Sequence, residues 1–220
     1  MIPRWKRWWS YLAPIHLETV ASSVNDYLEV YLISNRLRLT TMDAIYSYDD
    51  RYFNFVSAFK EIKLPENDAQ ILVLGLGLGS IPLILERKFR KKYIYTAIEK
   101  DSASLYLFNR YQKDRLKSPV NIFHADAVDF LRENTDRYHM ICVDVFIGDA
   151  IPSHLKETPF LNNLRTALHP GGIVLWNMLY DTENQVEEAD AFLELLFKNY
   201  FPDTVTHQVL GNIILIGHTS

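Results

Sequence analysis

Three carboxylates fall at comparable places in the chain. Glu99, Asp126 and Asp144 each stand at, or just after, the carboxyl end of a short apolar run. An acid there can accept hydrogen bonds from a ligand lying across the end of a sheet. Ahead of them Gly75-Leu76-Gly77-Leu78-Gly79-Ser80 follows the apolar run Ile71-Leu72-Val73-Leu74 and precedes Ile81, Leu83, Ile84 and Leu85, which repeat with helical spacing. Gly75, Gly77 and Gly79 let the chain turn sharply and bring bare backbone against a ligand. The helix start beyond them offers free N–H groups. Glu99 follows Gly75 by roughly 24 residues, near the spacing at which such an acid takes both hydroxyls of a ribose. The chemistry implied is recognition of a nucleoside.

The kind of nucleoside can be narrowed. A dinucleotide fingerprint wants Gly or Ala at its sixth position, where this chain has Ser80, and its third glycine comes one place early. A phosphate loop would need Gly-Lys-Ser/Thr after its glycines, and that is absent. The G-x-G-x-G spacing with a later acid resembles class I S-adenosylmethionine-dependent methyltransferases, whose ligand carries a ribose and a methionine tail but no phosphate. On that resemblance Glu99 takes the ribose, Asp126 and Ala127 meet the adenine amino edge, and Asp144 lies by the sulfonium and the acceptor.

These residues need strands to present them. Val120–His124, Met140–Val143 and Ile173–Trp176 read as further buried strands, since continuous apolar runs suit a parallel sheet covered on both faces. Helical patterns lie between them: Ser102 to Tyr111 with Asp101 as N-cap, Ala127 to Glu133, Pro152 to Leu168, and Glu183 to Tyr200. Thr204–Val209 and Ile213–Gly217 flank Gly211-Asn212 as a closing hairpin. The alternation predicts an α/β fold with a doubly wound, mostly parallel sheet. Residues 27–41 read as an N-terminal β-hairpin. From Asp49 a helix is expected, with Tyr52, Phe53, Val56, Phe59 and Ile62 on one face. The division expected is residues 1–48 as a tryptophan-rich segment plus hairpin, and 49–220 as the nucleoside-binding domain.

Composition sets outer bounds. A chain of 220 residues, 48% hydrophobic and 23% charged, can bury a core without metal or disulfide. Cys142, its one cysteine, sits in an apolar run and reads as a core residue. A net charge of −4 argues against a nucleic-acid-wrapping surface. The cluster Arg87 to Lys92 suits a solvated helix end. No run approaches the roughly 20 residues of a membrane span, and a cytoplasmic setting is expected. Met1–Tyr11 carries Trp5, Trp8 and Trp9 among Arg4, Lys6 and Arg7. It suits either a membrane surface or packing against the body of the protein or a partner subunit, as in a homodimer. Packing is favoured, because so short a segment gives little one-sided helical anchoring.

As a set, the N-terminal hairpin, Ile71–Ser80, Ile98-Glu99-Lys100-Asp101, His124-Ala125-Asp126-Ala127, Val143-Asp144-Val145-Phe146 through Pro159-Phe160, and Leu168-His169-Pro170-Gly171-Gly172 resemble spermidine-synthase-like proteins. The resemblance spans roughly residues 25 to 180. It implies a Rossmann-like methyltransferase fold, a seven-stranded sheet in the order 3-2-1-4-5-7-6. It also implies a donor such as S-adenosylmethionine, its decarboxylated form or methylthioadenosine, and a small-molecule acceptor. Asp144 matches the acid that helps deprotonate the attacking amine. Tyr48 falls in the stretch that touches the acceptor. Two departures stand out. Leu78 occupies the place of an aspartate that holds the aminopropyl amine, and is expected against the donor's tail; Ile147 replaces a second aspartate, for which Asp149 is a candidate substitute. The readings left open are methyl transfer, aminopropyl transfer to a polyamine, and a non-catalytic nucleoside-binding protein. The Asp144–Pro152 loop is expected to act as a lid.

Overall fold

The structure, a computed structural model, describes residues 2–41, 44–148 and 150–219. A short helix α1 (Arg4–Trp9) leads into four antiparallel strands in chain order, β1 (Ile15–Ala21), β2 (Tyr27–Ile33), β3 (Arg36–Thr40) and β4 (Ile45–Ser47). The expected hairpin is its β2–β3 pair. The turn between them uses positive φ at Ser34 and Asn35, as a two-residue hairpin loop with the native twist requires. Leu28, Val30 and Leu32 of β2 alternate inward with Leu37 and Leu39 of β3.

After α2 (Phe53–Ala58), the chain builds a second sheet from β5 (Gln70–Leu74), β6 (Ile94–Glu99), β7 (Val120–His124), β8 (Tyr138–Val143), β9 (Leu168–Leu179), β10 (Val205–Val209) and β11 (Asn212–His218). Counting from β5, its order is 3-2-1-4-5-7-6, as expected. Strands β5 to β9 pair in parallel, and β11 and β10 close the sheet antiparallel.

The period-2 alternation of β5, β8 and β9 makes two cores. Leu72, Leu74, Ile141, Val143, Val174 and Trp176 meet α5 (Ala127–Glu133), α6 (Thr158–Thr166) and α7 (Glu183–Phe192) on one face. Ile71, Val73, Met140, Cys142 and Leu175 meet α2, α3 (Ser80–Arg87) and α4 (Ser102–Tyr111) on the other. Cys142 is fully buried there.

Some local readings need correction. The strand Ile15–Ala21 was not anticipated. The helix expected from Asp49 opens instead with one 3-10 turn, Asp49–Arg51, and Tyr52 caps α2 from outside it. The helical phase therefore starts later: Phe53 is 61% exposed and Phe55 is buried in its place. The helix expected over Pro152 to Leu168 is a 3-10 turn, Ser153–Lys156, then α6. Between them Glu157 is extended, and Pro159 at the head of α6 suits a fresh start better than a continuation. Trp5, Trp8 and Trp9 are 60, 68 and 54% exposed, so they do not pack on the body of the chain. Among the described residues no helix is long and apolar enough to cross a membrane.

The small sheet is fixed to the large one by polar clamps. Buried Asp49 accepts from the Leu37 N–H (2.9 Å) and from both terminal nitrogens of Arg115 (3.0 and 2.7 Å). Buried Asp101, the N-cap of α4, accepts from Ser22 Oγ at 2.6 Å.

Candidate functional site

The carboxyl ends of β5, β6, β7 and β8 open onto one crevice, bordered on its far side by Val24 and Asn25 of the β1–β2 loop and by Tyr46 of β4. Six of the residues expected in the site line it: Gly75, Gly77, Glu99, Asp126, Ala127 and Asp144.

Glu99 ends β6 and is held by backbone. The N–H of Gly77 donates to Oε2 and that of Asp101 to Oε1, both at 2.9 Å. Burial pushes its carboxyl above the ordinary value, and those two N–H groups pull it back. Each oxygen keeps capacity for a further donor. Asp126 caps α5 by accepting the Val128 N–H at 2.8 Å, while Lys100 Nζ lies 3.0 Å from its Oδ2. Burial alone would raise its carboxyl, but the Lys100 ammonium and the Val128 N–H hold it below the usual range.

Asp144 follows β8. Tyr52 Oη (3.0 Å) and Asn177 Nδ2 (2.8 Å) both donate to its Oδ1. Among the described residues Oδ2 accepts no hydrogen bond. Burial, aided by the nearby charge of Glu99, pushes this carboxyl up to about 7 against the pull of the two donors. Burial and Asp144 together raise the Tyr52 hydroxyl well above its ordinary value, so it remains a donor. Asn177 is itself oriented by Asn212 Nδ2, 3.0 Å from its Oδ1. The result is a fixed carboxylate with a proton affinity near neutrality, the condition for a general base at physiological pH.

Other expected residues lie elsewhere. Leu78 is fully buried and packs with Leu28, Val30 and Leu107 beneath the small sheet, so it does not line the crevice. Gly79 does not line it either. It sits at φ +72°, where a β-carbon would stand 2.7 Å from Phe108 Cε2, and so allows α3 to start against α4. Tyr48 is also absent from the lining; its N–H donates to Ser80 Oγ at 3.0 Å, and Ser80 in turn meets Ser47 Oγ at 2.6 Å. These bonds make the sixth motif position a tether for β4. Asp149 lies outside the described residues.

The crevice also holds residues that pattern reading missed. Tyr46, rather than Tyr48, lines it, with its hydroxyl donating to Asn25 Oδ1 at 2.6 Å. The same oxygen accepts the Gly148 N–H at 3.1 Å, joining the loop after β8 to the small sheet. Ser104, on the first turns of α4, is 3% exposed, and its Oγ has no hydrogen-bond partner among the described residues. A buried hydroxyl left unpaired on a crevice wall suits a polar ligand atom. Asn177 had left a signal: an amide inside the apolar run Ile173–Leu179 is a buried polar group that needs partners. Among the described residues no cluster of three His, Cys, Asp or Glu side chains could hold a metal ion.

Strand order and crevice together define a Rossmann-like methyltransferase fold. No protein-family model matches the chain. It is similar to a probable polyamine aminopropyl transferase of Bifidobacterium longum, 28% identical over 178 residues, 76% of this chain and 39% of the relative. It is similar too to the eEF1A lysine and N-terminal methyltransferase of Bos taurus, 30% identical over 131 residues, 53% of this chain and 18% of that one. The chain thus spans well under half the length of either. A probable spermidine synthase from Corynebacterium glutamicum shares the fold, with TM-score 0.72 and 18% identity over 93% of this chain and 79% of that one. So does a spermidine synthase solved with the transition-state analogue AdoDATO, with TM-score 0.72 and 13% identity over 93% and 74%. The chain is thus similar in sequence to a polyamine aminopropyl transferase and a methyltransferase, and similar in fold to spermidine synthases.

Proposed function

We propose that the protein is an adenosyl-sulfonium-dependent transferase that moves a methyl group from S-adenosylmethionine to a small-molecule acceptor. The observation that carries this reading is that Glu99 and Asp144 line one crevice, the first held rigidly by backbone N–H groups, the second with one oxygen fixed and its carboxyl near 7. The residues fit such a donor. Glu99 would accept the two ribose hydroxyls, Asp126 and Ala127 would face the adenine edge, Ser104 would meet a polar atom of the nucleoside, and Gly75 and Gly77 would let the tail lie on bare backbone. When bound, the donor supplies an activated carbon on a sulfonium, and the transfer is an in-line displacement whose catalysis is mostly orientation. Asp144 would take the proton from an attacking amine or hydroxyl through Oδ2, with Tyr52 and Asn177 holding the carboxylate in place.

Aminopropyl transfer from decarboxylated S-adenosylmethionine is the second reading. It is favoured by the polyamine aminopropyl transferase name of the Bifidobacterium relative. It needs a partner for the donor's terminal ammonium, and an ammonium in a closed site without one is costly. Leu78 stands in the loop position where spermidine-synthase-like proteins place that partner, and it is buried away from the crevice. Incubation with each donor and a panel of amine and hydroxyl acceptors separates the readings by product. S-adenosylhomocysteine marks methyl transfer, and methylthioadenosine marks aminopropyl transfer. Donor binding with neither product would point to a non-catalytic nucleoside-binding protein.

A further inference from the structure

We infer that the N-terminal segment around α1 is a docking surface for an anionic membrane interface. Trp5, Trp8, Trp9, Tyr11 and Leu12 are each more than half exposed, an unusual concentration of large apolar side chains in eight consecutive positions. The segment does not dangle. Ser10, itself buried, donates from Oγ to the Arg7 carbonyl at 2.6 Å and accepts the Asn35 N–H at 2.8 Å. Its own carbonyl accepts the Ser34 N–H at 2.6 Å, and Arg7 Nη1 reaches Asn35 Oδ1 at 3.3 Å. The tip of the β2–β3 hairpin therefore holds α1 in place while its tryptophans face outward. A rigid platform of this kind does not need the long amphipathic helix that a free segment would require to insert one-sidedly.

Charge selects the occupant. Residues 1–17 carry Arg4, Lys6 and Arg7 and no acid, in a chain of net charge −4. Lys6 Nζ lies over the Trp5 ring at 5.7 Å, so cation and aromatic face belong to one patch. Indole rings settle at the headgroup level of a bilayer, and neighbouring cations meet anionic lipid there. A second copy of this chain fits less well. A two-fold contact centred on this patch would bring the Arg4, Lys6 and Arg7 clusters of both copies into one interface with no acid from residues 1–17 to pair them.

The test is co-sedimentation of the full chain with vesicles of phosphatidylcholine alone and of phosphatidylcholine with about 30% phosphatidylserine. The chain should pellet with the anionic vesicles, release at high salt, and stay in solution with the neutral ones. Arg4→Gln with Lys6→Gln should weaken partitioning roughly 30-fold at low salt. Trp5→Ala with Trp8→Ala and Trp9→Ala should weaken it by about as much, with thermal unfolding unchanged in both variants. Three results overturn the inference: no partitioning to anionic vesicles at low salt, partitioning that both variants retain, or a solution dimer in ultracentrifugation that the tryptophan variant dissolves.

Discussion

Gly75 lies so close to Asp144 that a β-carbon on it would stand 2.2 Å from the Asp144 carbonyl oxygen. The ends of β5 and β8 are thus in backbone contact at the point where the glycine loop meets the candidate base. Gly75 also sits at φ +86°, a region that residues with a β-carbon avoid. Gly75→Ala should therefore cost about 2–4 kcal/mol of folding stability, from strain and overlap together. Gly171→Ala, at φ +71° with open space around it, should cost only about 1 kcal/mol. Urea denaturation of the two variants checks the difference, and equal losses would remove the contact from the account.

Replacing Asp144 by Asn should lower kcat on the order of 10²-fold or more while donor affinity changes little. The base form exists only above the carboxyl's value of about 7, so wild-type kcat/KM should climb through that pH and level off, and the variant's profile should be flat. Stability should run the opposite way. The folded chain holds this proton to a higher pH than the unfolded chain, so stability should fall as pH rises from about 4 towards 7. The slope should stay below ~1.4 kcal/mol per pH unit, because the group borders the crevice. A wild-type profile with no break near neutrality would count against Asp144 as the base.

Leu78→Asp would supply, in name only, the acid that the resemblance to spermidine-synthase-like proteins implies at this position. In this structure it would place a carboxylate among Leu28, Val30 and Leu107, beneath the small sheet. The expected result is a loss of several kcal/mol in stability with no gain of aminopropyl transfer. A folded variant that releases methylthioadenosine from the decarboxylated donor would show that the loop can present this position to the crevice.

Ser104→Ala should leave stability unchanged or slightly raised, because its buried hydroxyl has no protein partner among the described residues. Donor affinity should drop by about 3- to 10-fold, the worth of one neutral hydrogen bond. Thermal melts with and without donor distinguish this from a purely structural serine, whose loss would shift both melts alike.

Strand ends and helix caps were legible because each has a local cause, whereas the order of the strands came from the family resemblance. Ile71–Leu74 is apolar because both faces are covered, Asp101 and Asp126 cap the helices that follow them, and glycines appear where the backbone turns left-handed. What stayed hidden depends on contacts distant in sequence. Tyr52 reaches Asp144 across 92 positions and Asn25 reaches Gly148 across 123, and no periodicity encodes either. Leu78 misled for a similar reason. A place in a ligand loop says nothing about which way the side chain turns, and an apolar one turns to the nearest core.

The most direct test is calorimetric titration of wild type and Glu99→Gln with S-adenosylmethionine, its decarboxylated form and methylthioadenosine. Wild type should bind S-adenosylmethionine at least as well as the decarboxylated form, and the substitution should weaken every ligand by about 10- to 100-fold, as loss of charge-assisted hydrogen bonds to a ribose would. Affinity that Glu99→Gln leaves untouched, or no binding by wild type at all, would contradict the account at its root.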